Sequence, residues 1–369
     1  MDNHGRARGS DSPGAGVAPT LTLLQRAALA PGTNTSYYSA VFAYISFCRS
    51  RPPHTHHRLP HPATFFDLDN CVREYIGHLY DTHMGRKRHR ATNAVFGLYA
   101  IDPHLHGHLR RSEQLLAGWS RLVPSEPHPP LTWPLVTLLA CSMAKAGHTG
   151  CALATVLTFH TLLRVSEMVA IKVVDVSLAN DPRRGLEVDV SSHLSATTGA
   201  ARTARRACIR LAVTKTGSNQ WVEIYDDRVT ALVTRLVASQ PPASFLFTFT
   251  GCRSTSVKSR ADHYRRVLHD ATSACNLSHC HYTPHSLRHG GATHAHSILD
   301  QSIETIMHRG RWRSNESCRG YIQSGTAHLL QLSHSPAVIA LAQRTHDLWE
   351  ELLLRHCFPG VDPGPAQSS

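Results

Sequence analysis

Five prolines, at positions 124, 127, 129, 130 and 134, constrain this chain more than any other feature. Proline fixes its own φ and has no N–H to donate, so neither a continuous helix nor a central strand can run through Val123–Pro134. The segment reads as an extended linker over 123–134 that divides the 369 residues into parts of domain size. Residues 1–19 are dominated by Gly, Pro, Ser and Asp with no apolar period, and read as a disordered tail. Order is expected from about Leu21, giving a helical domain over 20–122, a second domain over 135–334, and a terminal helix and tail over 335–369.

Periodicity supplies the elements. Behind the candidate cap Thr33, residues Tyr37, Val41, Tyr44, Ile45 and Cys48 recur at steps of three and four, the signature of one helical face. Further helices are expected over Leu68–Leu79, Ala91–Tyr99 and Ser112–Trp119, so the first domain is all-helical. Past the linker, helices are expected over Leu135–Ala146 and Gly150–Ala170. Strands are expected at Leu186–Val190, Cys208–Val213 and Trp221–Tyr225, with Gly217, Ser218 and Asn219 as the turn between the last two. Helices then return. The fold class is therefore mainly α with a small antiparallel β-sheet.

Composition narrows the partners. With 38 Lys+Arg against 26 Asp+Glu the formal charge is +12, which favours a polyanion such as nucleic acid or an anionic surface. Of the basic residues 33 are arginine and only Lys87, Lys145, Lys172, Lys215 and Lys258 are lysine, an imbalance for which codon usage is the simplest source. Arginine grips phosphate through a planar fork, whereas lysine titrates more readily. The run Arg86, Lys87, Arg88, His89, Arg90 suits a phosphate-contacting loop, a nuclear import signal or a solvated surface. No apolar run approaches the ~20 residues that cross a bilayer, and no signal core opens the chain, so a soluble intracellular protein without a membrane partner is expected, nuclear if its host is a eukaryote.

The ten cysteines form no CxxC pair and are expected to be reduced, mostly in the core. The 28 histidines raise the question of a metal. His54–His57 and His104–His108 lack a second pair at zinc spacing, and Cys275, His279, Cys280 and His281 lie too close together in sequence to surround one tetrahedral ion. No metal and no cofactor is expected.

The densest pattern lies between Thr283 and Gln323. Thr283 caps a helix with Pro284 at its first position, which places His285 and Arg288 on one face near the positive helix end that attracts phosphate. Asp300 is the expected cap of a helix carrying Ile303, Ile306 and Met307 and ending at Gly310. Arg311 and Trp312 then fall in a loop, and Ser314 caps a short helix that carries Tyr321. Upstream, Arg164 interrupts an apolar face, and Glu167 follows it by one turn, spaced for a charge-assisted bond; a buried structural ion pair explains the two equally well.

TLLRVSEMVAIKVVDV, TKTGSNQWVEI, TPHSLRHGGATHAH and GRWRSNESCRGYIQ, in that order over about Trp133–His334, resemble the tyrosine recombinase (phage integrase) family. The wording is nearest to recombinases of eukaryotic mobile elements of the DIRS and Crypton kinds. The resemblance implies an α+β catalytic domain preceded by a helical DNA-clamping domain, double-stranded DNA as partner, and self-assembly as a dimer per site and a tetramer in the synapse. It implies Arg164 and Arg288 as phosphate-gripping arginines, His285 as the histidine of HxxR, Lys215 as the lysine on the turn between strands, Trp312 at a His/Trp position and Tyr321 as the nucleophile. Glu167 would support Arg164. The family's glycine before the first arginine is absent here, where Leu162 and Leu163 stand, and an insert from Leu178 to Cys208 carries Arg202, Arg205 and Arg206 as further candidate DNA contacts.

That set makes chemical sense. Fixed cations stabilise charge on the non-bridging oxygens as a tyrosine attacks phosphate, lysine can protonate the leaving oxygen, and a 3′-phosphotyrosine conserves the bond energy without metal or ATP. Two other readings stand beside it: a type IB topoisomerase, which uses a similar residue set, and a domesticated DNA-binding protein that has lost catalysis. The terminal segment begins a helix at Ser335 and Pro336, and its Val338, Ile339, Leu341, Leu348, Trp349, Leu352 and Leu353 suit either docking on a neighbouring protomer or packing on the chain's own core.

Overall fold

The structure, a computed structural model, describes residues 29, 31–50, 64–124, 128–178, 207–214 and 217–359, with Pro31 and Val213 described by their backbone alone. The expected tail over 1–19, the expected strand Leu186–Val190, Arg202, Arg205, Arg206 and Lys215 lie outside these residues. The chain is mainly α-helical with one small antiparallel sheet, and it divides into two units, 1–126 and 127–369. No helix of the described residues is long and apolar enough to cross a membrane.

The first unit contains α1 (Pro31–Arg49), α2 (Phe65–Thr82), α3 (Arg88–Ile101) and α4 (Arg110–Leu122). The helix expected behind a Thr33 cap begins two residues earlier, at Pro31, so Thr33 lies inside it. Their apolar faces bury Tyr44, Val72, Tyr75, Ile76, Val95, Tyr99 and Trp119 in one core. A carboxylate is buried among them: Asp69 on α2 accepts from the Arg111 N–H (3.1 Å), the Ser112 N–H (3.0 Å) and the Ser112 hydroxyl (2.5 Å). It therefore caps α4 from across the interface, satisfying N–H groups that the helix start leaves without an intrahelical acceptor. The basic run follows the turn after α2. Lys87 has positive φ (63°) and precedes α3, and Arg86, Lys87 and Arg90 are exposed while Arg88 is half-buried.

The second unit is built on α5 (Trp133–Lys145) and α6 (Thr149–Thr161), both apolar around most of their circumference and buried accordingly. The helix expected over Gly150–Ala170 is broken. α6 stops at Thr161, Leu162 turns the chain with φ 53°, and a short helix, α7, resumes at Val165–Met168. Both Leu162 and Leu163 are fully buried, so packing pins the left-handed turn where local propensity favours continuing the helix.

Strands β1 (Val176–Leu178), β2 (Ala207–Thr214) and β3 (Gly217–Ile224) pair antiparallel in that order, with Val176 opposite Ile209 and Ile209 opposite Val222. Ala207, Ile209 and Leu211 alternate onto the core while Arg210, opposite Trp221, points away. Gly217, Ser218 and Asn219, expected as the turn, instead open β3, because the ladder closes as far as the Thr214–Gly217 pair.

After α8 (Asp227–Ala238) and α9 (Val257–Ala274), buried Arg260 donates to the carbonyls of Val169 (2.9 Å) and Phe247 (2.8 Å) between the rings of Phe245 and Phe249. Then come α10 (Pro284–Ser297), α11 (Ile303–Gly310), α12 (Asn315–Arg319), α13 (Ser324–Ser333) and α14 (Pro336–Cys357). The cap of α11 is Ser302, whose hydroxyl accepts from the Thr305 N–H (3.2 Å); Asp300 takes a positive φ two residues before it. α14 packs on α5 of its own chain. Val338, Ala342, Trp349 and Leu353 are buried there, with the Trp349 ring 5.3 Å from that of Trp133, while Ile339, Leu341 and Leu348 remain exposed. All ten cysteines are free thiols, six of them buried.

Removing the shared cap tests how far Asp69 holds the first unit together. Asp69→Ala leaves buried donors without an acceptor, so urea unfolding should show a loss of about 1–3 kcal/mol; an unchanged midpoint would contradict the assigned role.

Candidate active site

Helix α10 starts as its sequence dictates: Thr283 in extended conformation, Pro284 at the first position, and the Ser286 hydroxyl accepting from the Thr283 N–H (3.0 Å). One face then carries His285, Arg288, His289 and Thr293. The glycines following His289 are obligatory for packing. A Cβ on Gly290 would lie 1.9 Å from the Leu131 carbonyl oxygen, and one on Gly291 would lie 2.2 Å from that of Phe159. The helix is thereby pressed against the end of α6, where Arg164 emerges.

Arg164 is the cap of α7, not a residue on a helix face. Its N–H donates to Glu167 Oε2 (2.9 Å) and its guanidinium to Oε1 (2.7 Å). Arg311, in left-handed conformation at the end of α11, donates to Oε2 of the same carboxylate (2.5 Å). Glu167 is thus a buried anion shared by two arginines. Burial alone would raise its pKa, but Arg311 and then Arg164 outweigh burial and hold it below the usual carboxylate value.

Arg288 has no solvent exposure. Its terminal nitrogens donate to the Leu162 carbonyl and to that of Gly310 (2.5 Å), joining the break after α6 to the end of α11. The guanidinium lies over the rings of Trp312 (4.3 Å) and Tyr321 (5.4 Å). Burial, then the charges of Arg164 and Arg311, push its pKa down to about 9. Gly310 makes room for this stack, because a Cβ there would fall 1.7 Å from a Trp312 ring carbon.

The sequence pattern puts Tyr321 on the helix behind Ser314. That helix, α12, is indeed capped by the Ser314 hydroxyl but ends at Arg319, so Tyr321 sits in the turn before α13. Its ring stacks on His289 (4.3 Å) and tilts against Trp312 (4.8 Å). The turn is fastened to α10 twice: the Gln323 N–H donates to the Thr293 hydroxyl (3.0 Å), and the Gln323 amide donates to His289 Nδ1 (2.8 Å). An acceptor at Nδ1 puts the His289 proton on Nε2.

His285 is half-buried and stacks on His128 (5.1 Å, 8° between planes). Burial, His128, Arg288 and Arg164 lower its pKa, so the ring is neutral near neutral pH. His289 is pushed down to about 4 by burial, His128 and His285. Three buried donors in this cluster, Arg288 Nε, Arg311 Nε and Trp312 Nε1, have no hydrogen-bond partner among the described residues. A cleft of about 360 Å³ next to it runs between α7 and β2, lined by Ser166, Glu167, Asp175, Arg210 and Thr214. Thr214 is the residue before Lys215.

The structure therefore brings together Arg164, Glu167, His285, Arg288, Trp312 and Tyr321. Arg86, Lys87, Arg88 and Arg90 belong to the other unit, and Lys215, Arg202, Arg205 and Arg206 lie outside the described residues. Sequence reasoning assigns no role to Arg311, His128 or His289. His289 adjoins Arg288 in the HSLRHGG segment and is findable there, whereas nothing local marks His128 or the second arginine on Glu167.

No family model matches the chain, and no curated protein matches it. Among solved structures, a crystal structure of XerA recombinase is similar over 85% of this chain and 95% of that one, with a TM-score of 0.36 and 15% identity.

The buried histidines set the acid response. His160, His289 and His294 are each lowered to about 4, chiefly by burial, so the unfolded chain binds more protons as pH falls below about 6.5. Stability they contribute is complete above that value and is lost progressively toward pH 4. The urea midpoint should drop between about pH 7.5 and 5, and His289→Asn should flatten that slope; a midpoint that holds or rises at pH 5 would contradict the neutral assignment.

Proposed function

We propose that this chain is a site-specific DNA recombinase that breaks and rejoins strands through Tyr321. One observation carries the reading: the break after α6, the start of α10, the end of α11 and the turn before α13 deliver Arg164, Arg288, His285 and Trp312 to the surroundings of one tyrosine. The recombinase motifs of the sequence name the same side chains, and the charge of +12 suits DNA as the partner.

In this reading the Tyr321 oxygen attacks a backbone phosphorus and its phenolic proton passes to neutral His285. The P–O5′ bond breaks, and the departing 5′ oxygen takes a proton from Lys215, placed by sequence between β2 and β3. Charge on the non-bridging oxygens meets the partly exposed Arg164, with Trp312 and the buried Arg288 behind it. The product is a 3′-phosphotyrosine, which a second DNA 5′-hydroxyl reverses. Arg202, Arg205 and Arg206, and Arg86, Lys87, Arg88 and Arg90 of the first unit, would add phosphate contacts, and two protomers would occupy a site and four a synapse. An origin among DIRS-like or Crypton-like elements, and a nuclear location, belong to the same proposal.

One observation favours a second reading. The terminal nitrogens of Arg288 are bound to backbone carbonyls, as in an arginine that only holds the fold, and a DNA-binding protein without chemistry would need no more.

A pool of labelled nicked duplexes with randomised sequence separates the two. The wild-type protein should form a denaturant-resistant adduct, and Tyr321→Phe should abolish it while still shifting the duplexes. Adducts surviving in Tyr321→Phe would refute the nucleophile, and binding without any adduct in the wild type would establish the second reading. Arg164→Ala, at a partly exposed arginine, should cut adduct formation by about 100-fold or more while changing binding less than tenfold; equal losses would show that Arg164 only binds.

A further inference from the structure

Near the start of α10, away from Tyr321, a second group of chemically active side chains comes together. His279 and Cys280 lie on a single 3₁₀ turn, Ser278–Cys280, and His334 joins them from the hinge between α13 and α14. One ligand atom from each lies within 4.8 Å of the others. Cys280 and His334 are buried, and His279 is exposed.

We propose that His279, Cys280 and His334 form a binding site for a thiophilic divalent metal ion of the zinc class, with water as fourth ligand. The donor set of one thiolate and two imidazoles is of the kind zinc takes. Bonds of about 2.3 Å to sulfur and 2.0–2.1 Å to nitrogen put tetrahedral ligand atoms roughly 3.3–3.7 Å apart. The Cys280 Sγ to His334 Nδ1 distance of 3.9 Å is already near that span. His279, being exposed, has the rotamer freedom to close the rest.

The orientation of His334 is independent support. Its Nε2 lies 3.3 Å from the Tyr282 hydroxyl, leaving Nδ1 turned toward the thiol. A metal-binding imidazole is typically held in this way, by a polar partner on the nitrogen that does not bind the metal. The four-residue cluster seen in sequence is not the site: Cys275 is buried in the core and His281 is exposed after a left-handed turn. The third ligand comes from 54 residues downstream.

An ion here would tie the turn before α10 to the residue preceding the Ser335 cap of α14. It would fix the path by which the terminal helix returns to its own core. This inference does not depend on the recombinase reading.

The test uses the chelator-treated full-length protein titrated with Co²⁺ and then Zn²⁺. One Co²⁺ per chain should give a near-ultraviolet sulfur-to-cobalt band, displaced by Zn²⁺, that vanishes in Cys280→Ser and persists in Cys275→Ser. His279→Ala, at an exposed position that leaves the fold intact, should weaken Zn²⁺ at least about tenfold, measured against a chromophoric chelator. Cobalt bound without a sulfur band, or a band that survives Cys280→Ser, would overturn the proposal, as would unchanged affinity in His279→Ala.

Discussion

The Glu167 carboxylate holds a guanidinium on each of its oxygens, and the layout of the second unit around Tyr321 follows from that pair of bonds. Burial and the charges of Arg164 and Arg311 lower the pKa of Arg288, burial and Arg164 lower that of Arg311, and Glu167 is the carboxylate among the described residues that offsets them. Without a shared anion, burying like charges at this density would be strongly unfavourable. With it, Arg164 is anchored at the start of α7 and Arg311 at the end of α11, and Arg288 joins the same two places by donating to the carbonyls of Leu162 and Gly310.

Close backbone packing makes that arrangement reachable. Gly290 and Gly291 let α10 approach the Leu131 and Phe159 carbonyls, and Gly310 lets the Trp312 ring fold under Arg288. Each is a place where a methyl group would collide with something that cannot yield, so shape complementarity here is set by absent atoms as much as by present ones. His289 and Thr293 then fix the Tyr321 turn to the same helix that presents His285 and Arg288.

Much of this architecture is legible in the amino-acid sequence alone. Steps of three and four in Tyr37, Val41 and Tyr44 mark α1, and the Thr283-Pro284 pair marks the start of α10. Motif spacing picks out Arg164, Arg288, Trp312 and Tyr321 as a group. What stays hidden is decided by contacts distant in sequence. The break at Leu162 is enforced by burial against α10, since leucine alone has no preference for positive φ. Gly217, Ser218 and Asn219 join β3 despite their turn composition because pairing overrides turn propensity. Arg311 reads as a loop residue because its partner lies 144 positions upstream. His334 carries no local signal at all.

The position of Tyr321 between α12 and α13, outside both, bears on how its oxygen can travel. A side chain within a helix moves only with its ladder of backbone hydrogen bonds or by changing rotamer. Tyr321 instead rides on a few torsions, bracketed by Cys318 on one side and by the Thr293 and His289 contacts of Gln323 on the other. Swinging the ring off His289 also gives up its contacts with Trp312 and Arg288, but it leaves the backbone ladders of α10, α12 and α13 whole, so the phenol oxygen can be displaced through torsions that belong to no helix.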